Sequence, residues 1–175
     1  MRKFLLILLC FLVSNIFNPV FGAWQGEGTE TEPYLLQSRA DVEALADSVN
    51  NGIHWSRGKH FKLTQDITDS VRTIIGTTIQ ITHTEFDNIK VFQGILDGNN
   101  HKITLAINNT NINDGFSGLF NQLYEAEVRN LTIDGYVRKL LFYDLEMRSW
   151  GGGLVGLNQK SNISLYLNSQ NIFIN

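Results

Sequence analysis

The feature that most constrains the fold is a helix-free succession of short apolar alternations that begins at Phe61. Turn residues separate the segments with this pattern: FKLTQDI, VRTIIGTTIQIT, VFQGILDG, KITLAI, VRNLTIDG, GGLVGLN and ISLYLN. Alternating apolar and polar residues predict β-strands. Because parallel strands in a flat sheet normally need helical crossovers, this pattern predicts an antiparallel sandwich, a barrel or a solenoid.

Recurring corner residues favour the solenoid. LDGNNHKITLAINN is a turn followed by a strand, and VRNLTIDGYV is a strand followed by a comparable Asp-Gly turn. Asn, Asp and Gly tolerate the left-handed backbone of a sharp corner, and asparagines can also stack in ladders. The strand cores recur at about 20 to 30 residues, a period typical of solenoids. We therefore predict an all-β fold, a right-handed parallel β-helix, with an antiparallel sandwich as the alternative.

One amphipathic helix precedes the strands and is predicted over residues 38–52. Ser38 is a suitable N-cap, Asp41 lies in the first turn and Gly52 can end the helix. Apolar residues recur at helical spacing within it: Val42, Leu45, Ala46 and Val49. Apolar residues of this cap and of the strands are predicted to form the core: Leu45, Leu63, Phe92, Leu96, Ile103, Leu119, Leu131, Ile133 and Leu154.

The first 23 residues have the layout of a secretory signal peptide. Arg2 and Lys3 precede an apolar run over residues 4–13, and the segment ends in small residues up to Ala23. That run is shorter than the ~18 residues that span a bilayer. We therefore predict export through a cleaved signal peptide, an extracellular or cell-surface location, and no membrane span in the mature chain.

The remaining chain divides into a polar lead-in with a first strand over residues 24–37, the helix, and solenoid coils over residues 53–175. Cys10 is the only cysteine and lies in the predicted signal peptide, which excludes a disulfide framework from the processed chain. The net charge of −3 makes nucleic acid a poor partner. The chain stops inside a strand-like segment, NIFIN, so we expect truncation there and self-association through the exposed last coil.

Several landmarks follow one another in order. GTETEPYLLQSRADVEALADSVNNG precedes FKLTQDI, FQGILDGNNHKI, FSGLFNQL and a glycine-rich GGLVGLN segment. This order resembles the GLUG-motif repeat family, secreted bacterial surface proteins with a right-handed parallel β-helix. The resemblance implies an N-terminal cap with the first coils, and a structural role for the motif residues: Phe92, Gly94, Asp97, Gly98, His101, Gly118, Gly152, Gly153, Gly156 and Asn158. Asn121 replaces the usual glycine after the Gly-Leu-Phe triplet, and we expect it in a left-handed turn.

The sequence contains few residue patterns that are typical of a catalytic site. The sequence contains no H-E-x-x-H motif, and we predict no metal and no cofactor. His101 is predicted to be a corner residue hydrogen-bonded to backbone. Parallel β-helices can host polysaccharide lyases and glycosidases, for which Glu125 with Glu127 on one strand face, and Asp97 near Lys102, are the candidates. Because such pairs are more often solvated surface, we predict no enzymatic activity.

Aromatic residues are the candidates for binding. Trp150, Trp55, Tyr136 and Trp24 can stack on sugar rings or anchor a protein partner, although partial burial is the alternative for each tryptophan. We predict a non-catalytic, adhesin-like or structural interaction module that presents a rigid β-solenoid to a host glycan or a surface protein. The alternative is an accessory, glycan-binding domain of a larger polysaccharide-degrading enzyme.

Overall fold

A computed structural model of the chain describes residues 24–77, 90–110, 116–139, 150–151, 153–159, 161–165 and 173–174. The predicted signal peptide, residues 1–23, and Gly152 lie outside these ranges. The described chain has one helix, α1 (Arg39–Asn51), and short strands: β1 (Tyr34–Leu36), β2 (His60–Leu63), β3 (Ile67–Val71), β4 (Ile95–Asp97), β5 (Lys102–Asn109), β6 (Phe116–Ser117), β7 (Phe120–Tyr124), β8 (Glu127–Lys139), β9 (Trp150–Gly151), β10 (Val155–Gln159), β11 (Asn162–Leu165) and β12 (Phe173–Ile174).

Helix α1 confirms the predicted amphipathic helix, with Ser38 as its N-cap and Gly52 directly after its last residue. The Ser38 hydroxyl accepts a hydrogen bond from the Asp41 backbone N–H at 3.3 Å, and it donates to the Asp41 carboxylate at 2.9 Å. At the other end the Gly52 N–H donates to the Ser48 carbonyl at 3.0 Å. These bonds satisfy backbone and side-chain groups that a helix end otherwise leaves to water. The predicted apolar face is the buried one: Val42, Leu45, Ala46 and Val49.

Asn50 ties the end of α1 to the segment that follows β3. Its side-chain amide donates to the Ile74 carbonyl at 3.1 Å and accepts from the Gly76 N–H at 2.6 Å. Two backbone groups of an irregular segment therefore find partners on the helix. The sequence VRTIIGTTIQIT was predicted to be one strand, but β3 ends at Val71 and residues 72–77 run outside any named strand. The rest of that predicted strand lies outside the described residues.

All pairings between the named strands are parallel. Residues 127–131 of β8 pair with β4 and β11. Together with β1 and β2, these strands form sheet A. Residues 132–139 of β8 pair with β5 and β12. Together with β3, these strands form sheet B. The described chain is thus mostly β with a single helix, and its parallel pairings exclude the antiparallel sandwich there.

The bend between sheets A and B occurs at left-handed asparagines. Asn130, inside β8, has φ 52°, and Asn99 and Asn100 in the neighbouring turn have φ 50° and 64°. The Asn100 N–H donates to the Asn130 carbonyl at 2.8 Å, so the two corners lie against each other. Gly98 completes this contact, because an added Cβ would lie 2.4 Å from the Asn130 carbonyl oxygen. Asn and Gly corners are what the sequence predicted.

A column of aromatic rings runs through the core. The Phe92 ring lies 5.7 Å from the Phe61 ring and 4.9 Å from the Phe120 ring, measured between centroids. Trp24 and Tyr34 pack against the Phe61 end of the column. The predicted core residues are confirmed, because each of them is buried: Leu45, Leu63, Phe92, Leu96, Ile103, Leu119, Leu131, Ile133 and Leu154.

The prediction for Asn121 was wrong. It was expected in a left-handed turn, but it lies within β7, is 1% exposed, and is not among the residues with positive φ. Its side-chain amide donates to the Phe116 carbonyl at 3.1 Å. Asparagine at this position supplies a hydrogen-bond donor inside the fold instead of a permissive backbone.

Candidate ligand-binding groove on sheet A

The parallel register places polar side chains of sheet A in one row. Lys62 of β2 lies beside Asp97 of β4, and Asp97 lies beside Arg129 of β8. The residues before them in each strand are buried: Phe61, Leu96 and Val128. Since neighbouring side chains of a strand point to opposite faces, the polar row lies on the outer face of the sheet.

Arg129 is held by two carboxylates. Its Nε lies 3.1 Å from Asp97 Oδ2, and its Nη1 lies 2.8 Å from Glu127 Oε1. These hydrogen bonds, the one to Glu127 foremost, raise the pKa of Arg129 above its ordinary value. Arg129 therefore stays charged, with its guanidinium committed to two neighbours.

Asp97 is also fully engaged. Partial burial raises the pKa of its carboxyl, but hydrogen bonds from the Asn99 backbone N–H, the Asn130 amide and the Arg129 guanidinium outweigh burial, and the pKa lies below its ordinary value. The Asn99 and Asn130 bonds to Oδ1 measure 2.8 and 3.1 Å. Asp97 is therefore an ionised carboxylate that organises the corner.

The lead-in forms a wall beside this row and encloses a groove. Three backbone N–H groups, of Glu27, Gly28 and Thr29, donate to the Glu32 carbonyl at 2.9, 2.9 and 3.2 Å. Gly28, with φ 77°, lies so close to Tyr34 that an added Cβ would be 2.3 Å from its ring. The sheet A groove has a volume of about 200 Å³ and is lined by Glu30, Thr31, Pro33, His60, Phe61, Lys62, Ile95, Asp97 and Arg129.

Two polar side chains in the sheet A groove are available to a ligand. Among the residues that the structure describes, the Lys62 ammonium and the His60 ring make no hydrogen bond and no ion pair, and both side chains are half-buried. Lys62 offers three N–H donors, and a neutral imidazole offers one donor and one acceptor. No sequence pattern indicated this pair as a site, because only the strand register brings it to the wall formed by the lead-in.

A second cavity, of about 420 Å³, lies near the end of α1. Amide and hydroxyl side chains dominate its lining, and Arg72 adds a positive charge. Asn50 contributes to it, although both ends of its amide already bond to backbone. Asn108, which also lines this cavity, is exposed.

The aromatic residues that were predicted to stack on a ligand lie in different surroundings. The ring of Trp55 packs 6.1 Å from the Phe61 ring, and Lys59 Nζ lies 3.8 Å from its centroid, which favours packing over ligand stacking for Trp55. Tyr136 is half-buried on β8, with the Arg138 guanidinium 4.8 Å from its ring. Trp150 pairs through its backbone with Phe116, and its side chain lies outside the described residues.

The motif residues that the structure describes range from buried to exposed positions. Gly94 and Gly118 are buried, as is the Phe92 ring. The Gly153 carbonyl accepts the Leu119 N–H at 3.2 Å, the Asn158 amide donates to the Ser161 carbonyl at 3.3 Å, and Gly156 lies within β10.

His101 is hydrogen-bonded to backbone at a corner, as predicted, and its ring makes a further bond. Its backbone N–H donates to the Gly98 carbonyl at 2.8 Å, which closes the turn. Its ring Nδ1 lies 3.1 Å from Asp66 Oδ1, so the ring bonds to a carboxylate and not to backbone. The Lys102 backbone N–H, followed by the contact with His101, lowers the pKa of Asp66 below its ordinary value. Asp66 is 35 positions from His101, a contact that sequence reading could not anticipate.

The acidic pairs considered for catalysis are not assembled as expected. Glu125 has φ 50° and precedes β8, so it does not share a strand face with Glu127. Its carboxylate lies 3.9 Å from Arg57. Lys102 lies 3.9 Å from Asp134, the residue across from Thr104, and not beside Asp97. Across the described ranges, no group of three or more His, Cys, Asp and Glu side chains is arranged to hold a metal ion.

Comparisons with known proteins find a relative that is much longer than this chain. A protein from Evansella cellulosilytica that carries the name Gly-rich membrane protein is 33% identical over 136 residues. The match covers 74% of this chain and 15% of that protein, so the chain spans only a small part of its relative's length. No family model and no solved structure matches the chain.

The name of this relative corrects the predicted location. We had expected export through a cleaved signal peptide to an extracellular or cell-surface location, whereas the relative is named as a membrane protein and points to the membrane instead. In the part of the chain that the structure describes, no helix has both the length and the apolar character needed to cross a bilayer.

Proposed function

We propose that this chain is a non-catalytic interaction module of a membrane-associated protein, and that it presents a rigid β-solenoid to glycan or protein partners. The observation that carries the proposal is the in-register row of Lys62, Asp97 and Arg129 beside the sheet A groove. Side chains from three strands are held there at fixed spacing, with unsatisfied donors next to them. Such a surface can select a ligand without carrying out a reaction.

The proposed solenoid is a right-handed parallel β-helix. In sheet A the register joins residues that are about 30 positions apart, within the period of solenoid repeats. Left-handed asparagines occupy stacked corners, and the aromatic column fills the interior. The likeness to GLUG-motif repeat proteins supports the same architecture and an adhesin-like role.

Rigidity is the physical advantage of this architecture for binding. In a stack of repeats each strand is fixed by its neighbours, so the groups that meet a ligand lose little freedom when it binds. The ion pairs of Arg129 hold the floor of the groove, and the bonds to the Glu32 carbonyl hold its wall. The membrane association that we propose follows the name of the Evansella cellulosilytica relative.

The test uses the full chain, purified in a detergent without a sugar head group. Immobilised protein is screened against a panel of neutral and acidic glycans, and the same mixtures are assayed for new reducing or unsaturated ends. We expect saturable binding of at least one glycan and unchanged glycan length. Release of new ends in proportion to the concentration of the protein would show that the chain is an enzyme and would contradict the proposal.

A further inference from the structure

We infer that the sheet A groove binds one neutral sugar unit of a glycan, through hydrogen bonds to Lys62, His60 and Glu30. The inference rests on the proposed function and names its site and ligand class. It starts from two polar side chains of β2 that have no partner among the described residues and that line the same small cavity as Glu30.

The size of the groove limits the ligand. Its volume of about 200 Å³ is below the roughly 300–1,000 Å³ of pockets that hold drug-sized molecules, so it accommodates about one ring. Pro33 and Ile95 are half-buried and contribute apolar surface between the polar groups. A sugar ring has this mixed character, with C–H groups on its faces and hydroxyl groups around its edge.

The charge of the lining favours a neutral ligand. Lys62 and Arg129 are positive, Glu30 and Asp97 are negative, and Arg129 is already paired with Asp97. A hydroxyl group can accept from Lys62 and donate to Glu30, which satisfies both without adding charge. A ligand carboxylate would gain from Lys62 but would be placed near two carboxylates, so a uronate is disfavoured.

A peptide ligand is also disfavoured. Strand β2 is paired with β1 and β4, β4 is paired with β2 and β8, and the first part of β8 is paired with β4 and β11. Their backbone groups are engaged in the ladders, so the floor of the groove has no free strand edge to which an extended peptide could add. Recognition on this face must use side chains, as in binding of a sugar.

The experiment measures binding of neutral hexasaccharides to the full chain by titration calorimetry. The probes are cellohexaose, xylohexaose, mannohexaose and maltohexaose, with hexagalacturonate as the acidic comparison. The variants are Lys62→Met and Glu30→Gln, both at positions that are not buried, and the matched control is Lys102→Met on sheet B. Melting temperatures of all variants are compared with that of the parent chain. Because Glu30 is exposed in the lead-in, Glu30→Gln keeps the test decisive if Lys62→Met fails to fold.

We expect at least one neutral hexasaccharide to bind the parent chain. Lys62→Met should weaken binding by about tenfold or more, since a hydrogen bond to a charged group is lost. Glu30→Gln should weaken it by about fivefold, since the amide oxygen still accepts the hydrogen bond but carries no charge. Lys102→Met should leave the affinity unchanged, and added salt should alter it little because the ligand carries no charge.

Three results would overturn the inference. They are binding of none of the neutral probes, salt-sensitive preference for hexagalacturonate, or equal affinity of the parent chain and both groove variants. In the third case, loss of binding in Asn108→Ala would assign the sugar to the second cavity. That outcome removes the groove as the site while the proposed interaction module stands, whereas cleavage of a probe would refute the proposed function itself.

Discussion

Replacing Phe92 with alanine should destabilise the whole fold. Phe92 is 0% exposed and its ring lies between Phe61 and Phe120, at 5.7 and 4.9 Å between centroids. The ring lies between a residue of β2, Phe61, and a residue of β7, Phe120, and its own segment pairs with β7 through a bridge to Leu123. Removing it leaves a cavity in the middle of the aromatic column.

The size of the effect follows from that position. Buried Phe→Ala substitutions cost about 3–5 kcal/mol of unfolding free energy. Aromatic pairs add about 0.5–1.5 kcal/mol each beyond the area they bury, and Phe92 takes part in two such pairs. We therefore expect a loss in the upper part of the 3–5 kcal/mol range, a large share of the roughly 5–15 kcal/mol that stabilises a typical domain.

Urea denaturation followed by tryptophan fluorescence measures this loss, because Trp24 and Trp55 report on the Phe61 end of the column. Ile53→Ala is the control, since Ile53 is 48% exposed and should change the unfolding free energy by less than about 1 kcal/mol. A loss below about 1 kcal/mol for Phe92→Ala, with an unchanged dependence of the unfolding free energy on urea concentration, would show that the column is not a continuous core.

Three further predictions concern corners, the helix end and pH. Gly98→Ala should lower the melting temperature strongly, because the new Cβ would meet the Asn130 carbonyl oxygen at 2.4 Å; an unchanged melting temperature would show that the corner can open. Asn50→Ala should cost about 1–3 kcal/mol in urea denaturation, since it leaves two backbone groups without partners, and a cost near zero would mean that water replaces them. The folded-state pKa values of Asp66 and Asp97 are depressed, so their contribution to stability is present above the unfolded-state pKa of about 3.9 and is lost as pH falls through the folded-state values. The urea midpoint of the parent chain should therefore fall as the pH is lowered below about 3.9, and the midpoint of Asp97→Asn should fall less steeply. An equal fall in the parent chain and in Asp97→Asn would count against the bonds assigned to Asp97.

Local features of the fold could be predicted from the sequence. The cap Ser38, the buried face of α1 and the terminator Gly52 depend on residues within about one helical turn of one another, and all three are confirmed. Alternation within a strand likewise identified buried residues such as Leu96 and Ile133. These predictions succeed because period and spacing alone decide which side of a local element is apolar.

Features that depend on the register between distant strands could not be predicted. Asp97 was noticed, but its cationic partner is Arg129, 32 positions away, and not the nearby Lys102. The bond between His101 and Asp66, and the position of Lys62 beside the lead-in, depend on the same unknown register. The strand face assigned to Glu125 and Glu127 failed because a left-handed residue interrupts the alternation, which composition does not reveal.

The proposed solenoid depends on parallel, in-register pairing of β5 with β8. Disulfide trapping tests that pairing directly. In a Cys10→Ser background, one variant carries cysteines at positions 102 and 132, and a second variant carries them at positions 104 and 134. The residues of each pair, Lys102 with Thr132 and Thr104 with Asp134, lie side by side in the register. Paired strands are about 4.8 Å apart, within reach of a disulfide. We predict that both pairs cross-link on mild oxidation and that mass spectrometry identifies both bridged peptides. Cross-linking of 104 to 134 without cross-linking of 102 to 132 would show that the strands are not paired in this parallel register.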